Sequence, residues 1–93
     1  MATPLYTCVK DAKVGIYDNC AYVARIYRDK IIVRSPYIKW VGNSGGLDYR
    51  REVIRNQKVI DRALADMADG CEDSALAVIG QYLLDDYLAC SDF

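Results

Sequence analysis

The residue types that usually carry enzyme chemistry are scarce in this sequence. Histidine is absent, so a cysteine or serine nucleophile would lack its usual general base. The adjacent carboxylates Asp85 and Asp86 would point about 100° apart on a helix, which prevents them from acting as a convergent pair. We therefore expect no enzyme activity, no catalytic residue and no cofactor.

The four cysteines follow no metal-binding or redox pattern. Cys8, Cys20, Cys71 and Cys90 are widely spaced, and none forms a Cys-x-x-Cys pair, so we predict no metal site. The N-terminus lacks the pattern of a secretory signal, and no apolar run has the length of a membrane span. The sequence therefore predicts a cytoplasmic protein with free thiols and no membrane contact, in which Cys8, Cys20 and Cys90 act as small hydrophobes.

Charged residues, which could recognise a partner, are unevenly distributed along the chain. Twelve Lys and Arg against thirteen Asp and Glu give a net charge of −1. All twelve basic residues lie in positions 1–62 with six acids, a net charge of +6, whereas positions 63–93 hold seven acids and no base. Two interpretations remain open: the two parts neutralise each other in the fold, or at least one of them attracts a charged partner.

These charges must be positioned by a small domain. Ninety-three residues, 53% of them hydrophobic and 27% charged, predict one globular domain over residues 1–93. Alternation of apolar and polar residues predicts strands at 5–10, 20–28 and 31–40, the last two joined as a hairpin. Pro36 cannot donate to a strand ladder, so the third strand is predicted to lie at an edge or to bend there.

Two helices are predicted after a flexible, glycine-rich connection at 41–46. The first would begin at Asp48, a suitable N-cap, and end at Gly70. The second would begin at Asp73 or Ser74 and run to about residue 89. The order of these elements predicts an α+β fold, a three-stranded antiparallel sheet followed by two helices packed on one face.

The candidate partner-binding residues lie on the exposed sides of these predicted elements. The first helix would carry a basic stripe opposite its apolar side, and the second would expose a tyrosine and two acids, although Tyr82 could equally pack inside. Two further tyrosines on the sheet are predicted to reach the surface, since tyrosine is favoured at protein interfaces. The full set is Arg51, Arg55, Lys58, Arg62, Tyr82, Asp85, Asp86, Tyr27 and Tyr37.

A short α+β domain without a catalytic motif, with eight tyrosines and polarised charge, resembles in type the small phage-encoded inhibitors of bacterial defence, of which anti-CRISPR proteins are the best-known kind. The resemblance is one of type and carries no residue role with it. It implies an inhibitor in the host cell cytosol that binds a CRISPR effector and blocks DNA binding or cleavage.

The leading prediction is thus a non-catalytic inhibitor that binds another protein. The alternative is a small nucleic-acid-binding regulator that uses the basic helix and the sheet, because phosphates attract cations and unpaired bases stack on aromatic rings. A calculated pI of about 5.2 disfavours this alternative. A homodimer is compatible with either function. Residues that would assist on the sheet are Arg25, Arg28, Arg34, Lys39, Tyr27, Tyr37 and Trp40.

Overall fold

Four antiparallel strands form one sheet in sequential order, and two helices follow them. The structure is a computed structural model that describes residues 3–90, without the side chains of residues 89 and 90. The elements are β1 (Tyr6–Val14), β2 (Tyr17–Ile26), β3 (Ile31–Val41), β4 (Ser44–Ile54), α1 (Gln57–Ala68) and α2 (Glu72–Cys90). The predicted α+β class is confirmed, but the sheet has four strands rather than three.

The fourth strand replaces the start of the predicted first helix. The segment from Asp48 was predicted to be helical, which is wrong, because residues 44–54 pair with β3 from Val41–Ser44 to Ile31–Ile54. The predicted flexible connection is in fact a tight turn. Gly42 has φ +61°, whereas Asn43 has negative φ, which is the pattern of a two-residue hairpin loop with glycine first.

The first helix begins at Asn56 rather than at Asp48. The side-chain oxygen of Asn56 accepts hydrogen bonds from the backbone N–H groups of Lys58 and Val59, at 3.0 and 3.3 Å. These bonds satisfy donors that have no partner inside the helix. The predicted end at Gly70 is confirmed, since that residue has φ +77° directly after the C-cap.

The two helices cover one face of the sheet, which we call the inner face. Alternate strand residues and one side of each helix form a continuous buried core, and the other strand residues point away from it. The core residues are Cys8, Ala24, Ile26, Ile31, Val33, Ile54, Ile60, Ala63, Ala75 and Ile79. The opposite side of the sheet, the outer face, carries no helix.

The cysteines are free thiols where the structure describes them. Cys8 and Cys20 are buried, as predicted, Cys71 is exposed, and the side chain of Cys90 lies outside the described residues. The Cys8 Sγ lies 3.6 Å from the Sδ of Met67. Burial, with a smaller contribution from the charge of Glu72, raises the pKa of the Cys8 thiol, which therefore favours the unreactive protonated form.

The central strands pair over only part of their length. β2 and β3 pair from Val23–Arg34 to Ile26–Ile31, whereas β1–β2 and β3–β4 continue to their hairpin turns. Pro36, which lacks an N–H, lies just beyond the last β2–β3 pair. Of the two predicted alternatives, an edge strand or a bend at Pro36, the edge is wrong because β3 is central, and its pairing with β2 ends near Pro36. The edges are β1 and β4.

The cap at Asn56 gives a test of the corrected helix boundary. Replacing it, Asn56→Ala, should lower the free energy of unfolding by about 1 kcal/mol, because two N–H groups of α1 lose their acceptor. Urea denaturation measures this. The matched control is Asn19→Ala, an exposed residue within β2, which should change stability by less than about 0.5 kcal/mol. Equal effects of the two substitutions would contradict the helix start at Asn56.

Candidate functional site

The predicted basic stripe does not exist as a single helical face. Arg51 lies in β4, Arg55 lies in the connection between β4 and α1, and only Lys58 and Arg62 lie in α1. All four side chains are exposed. The prediction of one helical face was wrong because the spacing of these residues is also compatible with a strand up to position 54, a connection and then a helix. Arg51 therefore does not share a helical face with Lys58 and Arg62.

Three predicted residues meet in a shallow groove of about 490 Å³ between α1 and α2. Arg62 contributes from α1, and Tyr82 and Asp85 contribute from α2. Tyr82 is partly buried and also packs against the core, so both of the expectations for this side chain hold in part. Asp85 accepts a hydrogen bond of 2.8 Å from the Gln81 amide.

Asp86 lies on another side of α2, where it lines a second groove of about 440 Å³. Arg50 and Glu52 of β4 line the same groove, together with Tyr22 of β2. The pKa of Tyr22 is raised, first by burial and then by the charges of Glu52 and Cys8, so its hydroxyl stays protonated at neutral pH. The acids and bases of this groove are mixed in sign, and no single ligand charge is favoured.

The two predicted sheet tyrosines are partly buried and lie apart from each other. Tyr27 directly follows β2, and the Lys30 ammonium lies 5.1 Å from its ring centre. Tyr37 points to the inner face beyond the core, where the Arg50 guanidinium lies 5.0 Å from its ring centre. The Tyr37 hydroxyl donates a 3.5 Å bond to Asp48. Both rings thus already contact neighbouring charged side chains of the same chain.

The outer face of the sheet carries a group of cations that the sequence did not predict as a group. Arg34 on β3 pairs directly with Arg51 on β4, and Arg25 on β2 pairs with Ile32, which places it diagonally next to Arg34. All three arginines are exposed. We call Arg25, Arg34 and Arg51 the arginine cluster.

Aliphatic side chains surround the arginine cluster on the outer face. Val9 is 60% exposed and Val53 is 39% exposed, while Val23 and Ile32 are partly exposed between them. The Arg34 guanidinium stacks on the ring of Tyr49 at 4.3 Å from its centre. The outer face therefore combines cations, aliphatic groups and one tyrosine, which is the mixture found at the energetic centres of protein interfaces.

The acidic residues do not neutralise the arginine cluster by contact. On the outer face of the described strands the one acid is Asp11, which lies on β1 opposite Ala21, and the acids of α1 and α2 lie on the other side of the sheet. Two ion pairs occur among the described residues, Lys10–Asp73 and Lys39–Asp48, both at 3.9 Å. Neither includes an arginine of the cluster, so its charge is available to a partner.

Placing like charges opposite each other costs stability. Two cations at directly paired positions of an antiparallel sheet repel each other, and the stacking on Tyr49 offsets this for Arg34 only. The arginine side chains do not contribute to the core, because they point away from it. Such an arrangement is typical of a surface kept for binding.

Trp40 marks the far end of the outer face. Its indole packs over Gly45 on the neighbouring strand, where a Cβ would lie only 2.9 Å from the Trp40 Cζ3 atom. The residue is nevertheless 68% exposed. Glycine at position 45 therefore permits an indole that lies flat on β4 and still presents a large area to the surroundings.

The signal that could have predicted this face is the alternation within β4. Tyr49, Arg51 and Val53 point outward, whereas Arg50, Glu52 and Ile54 point inward.

Comparison with family models, curated proteins and solved structures found no match. The described part of the chain contains no helix that is both long and apolar enough to cross a membrane. In that part, too, no three His, Cys, Asp or Glu residues are grouped so that they could hold a metal ion.

Arg51 gives a direct test of the like-charge pair. Arg51→Gln should raise the free energy of unfolding by about 0.2–0.5 kcal/mol at low salt, because it removes repulsion from Arg34. The gain should shrink at high salt, which screens exposed charges. Arg55→Gln is the matched control, because Arg55 lies in a connection and should show no such gain. A loss of stability in Arg51→Gln, or an equal gain in both variants, would contradict the pairing.

Proposed function

We propose that this chain is a non-catalytic protein that binds another protein, and that it docks through the outer face of its sheet onto an acidic and partly apolar surface. The observation that carries the proposal is the arginine cluster among exposed aliphatic side chains. Arginine forms bidentate hydrogen bonds to carboxylates, and burial of Val9, Val23, Ile32 and Val53 would add hydrophobic stabilisation. The docking surface is thus the sheet, and not the helical face expected from the sequence.

The chemistry of the outer face favours a protein partner over a nucleic acid. Bases of single-stranded nucleic acid are held by stacking on aromatic rings. At the centre of the outer face the neighbours of the arginines are aliphatic, and one side of the Tyr49 ring is already covered by Arg34. Aliphatic groups have little to contact on a phosphate and sugar backbone, whereas they match the apolar centre of a protein interface.

Nucleic-acid binding is the second candidate, and Trp40 is the observation that favours it. Its exposed indole lies on the same face as the arginine cluster and has room for a stacked base. The acids of α1 and α2 lie across the sheet and would not face the phosphates. The low pI is therefore a weaker argument against nucleic-acid binding once the fold is known than it is from the sequence alone.

The more specific form of the proposal is an inhibitor of the anti-CRISPR type, which would occlude a bacterial CRISPR effector and block DNA binding or cleavage. It is supported by the resemblance of type described above. Such an inhibitor needs a binding face and no catalytic group. A CRISPR effector with an acidic and apolar patch would be complementary to the outer face, as would any other partner with that chemistry.

The test of protein binding is a pull-down from a lysate of the source cells after nuclease treatment. The immobilised wild-type chain should retain a specific protein, and the Arg25→Glu/Arg34→Glu/Arg51→Glu variant should lose it. The control variant Arg28→Glu/Lys58→Glu/Arg62→Glu has the same change in net charge but leaves the outer face intact, so it should retain the protein. No specific protein on the wild-type chain, or equal retention by all three, would contradict the proposal.

The second candidate is tested with labelled single-stranded oligo-dT at low salt. Fluorescence anisotropy should show no binding if the outer face is specific for protein. Binding that disappears in the arginine variant and persists in the control variant would favour the nucleic-acid function instead. Binding that also disappears with Trp40→Ala would assign the stacking role to the indole.

A further inference from the structure

The last turns of α2 project beyond the core. The final α2 residue in the core is Ile79, and Tyr82 and Leu83 are the last that pack against it. From Leu84 to Leu88 every residue is exposed, including Leu84 at 52%, Tyr87 at 64% and Leu88 at 59%. Large apolar side chains on a projecting helix are typical of a surface that is covered by a partner. We call residues 84–88 the acidic tip, because they also contain Asp85 and Asp86.

The acidic tip and the outer face of the sheet are complementary in chemistry. The tip combines two carboxylates with two leucines, and α2 contains no basic residue. The outer face combines the three arginines of the cluster with exposed valines. The Asp85 carboxylate, which lies on the same side of α2 as Leu84 and Leu88, would pair with guanidinium groups, while the leucines would cover Val23 and Ile32, so charged and apolar groups would be covered in one contact.

One chain cannot make this contact within itself. The helices lie against the inner face, and the arginine cluster lies on the outer face of the same sheet. The tip that reaches the cluster must therefore come from a second copy. Two other ways of joining copies are disfavoured by charge: stacking outer face on outer face would oppose two arginine clusters, and joining tip to tip would oppose four carboxylates.

We propose that copies of this chain bind one another through the acidic tip of one copy, residues 84–88, on the arginine cluster of the next. This goes beyond the proposed function but uses the same outer face, so a second copy and a partner protein would compete for it. The contact joins two different surfaces. It closes into a dimer when each copy contributes both surfaces and otherwise continues to larger assemblies.

The measurement is the mass of the purified chain by light scattering during size-exclusion chromatography, over a range of protein and salt concentrations. At high protein and low salt the weight-average mass should exceed the 10.5 kDa of one chain, and salt should lower it. Arg34→Glu/Arg51→Glu and Asp85→Lys/Asp86→Lys should each elute as monomers, because in each variant the tip and the cluster carry the same sign. Circular dichroism verifies that both variants are folded.

Mixing the two variants provides the decisive step. The glutamates of the first variant's cluster match the lysines of the second variant's tip, and the second variant's unchanged cluster matches the first variant's unchanged tip. An equimolar mixture should therefore regain the wild-type mass. As a control, Asp18→Lys/Asp29→Lys makes the same change in net charge as the tip variant at exposed positions away from both surfaces, so alone it should associate like the wild type.

Several results would overturn the inference. They are a wild-type chain that stays monomeric at high protein and low salt, variants that associate as the wild type does, or a complementary mixture whose mass does not exceed that of each variant alone. None of these results affects the pull-down, which uses an immobilised chain at low density. Failure of self-association is therefore distinguishable from failure of the proposed function.

Discussion

The pairing of β4 with β3 determines where every cation of the outer face lies. Gly42 closes the hairpin, and the register that follows sets Arg34 against Arg51 and Tyr49 diagonally beside them. A shift of one residue in this register would turn Arg51 and Val53 to the inner face and bring Glu52 outward. Ile54, which is buried, resists such a shift because it would leave the core. The core thus fixes the position of the proposed binding surface on the other side of the same strand.

The one-sided cover of the sheet leaves the proposed binding surface accessible. The core is small, and the two helices that close it contact only the inner face. A third layer would bury the valines of the outer face, but the arginines among them would then lose their hydration without gaining partners. An antiparallel sheet tolerates one solvated face. The same side chains that make this face tolerable in water therefore give the proposed binding surface its preference for an acidic partner.

The sequence predicted the parts of this fold that depend on local patterns. Alternation of apolar and polar residues predicted the hairpin between β2 and β3. Gly70, which has positive φ, predicted the end of α1, and an apolar periodicity predicted the second helix. β4 was missed because the glycine-rich segment at 41–46 was predicted to be a flexible connection, whereas Gly42 and Asn43 form a two-residue hairpin turn. The spacing of Arg51, Arg55, Lys58 and Arg62 fits one continuous helix as well as it fits a strand, a connection and the start of a helix, and only the pairing of β4 with β3 distinguishes the two.

For the candidate site, too, the residue types could be predicted from the sequence, whereas their positions relative to one another could not. Arg51 was predicted as a partner-binding residue and does lie in the arginine cluster, but its neighbours there come from β2 and β3 rather than from a helix. Sequence patterns identify exposed cations, whereas the register between strands decides which of them act together.

The separation of charge along the chain becomes a separation across the sheet. The basic part of the chain ends with the strands and α1, and the acidic part forms the end of α1 and all of α2, on the inner side. Because the sheet lies between the arginine cluster and the acids of α2, the two charges cannot meet within one molecule, and both ion pairs among the described residues lie away from the cluster. Charges that neither pair nor serve the core contribute little to stability in water. In the proposed function these charges act in contacts with another molecule, where desolvation would strengthen each ion pair and the sign of the partner surface would be selected.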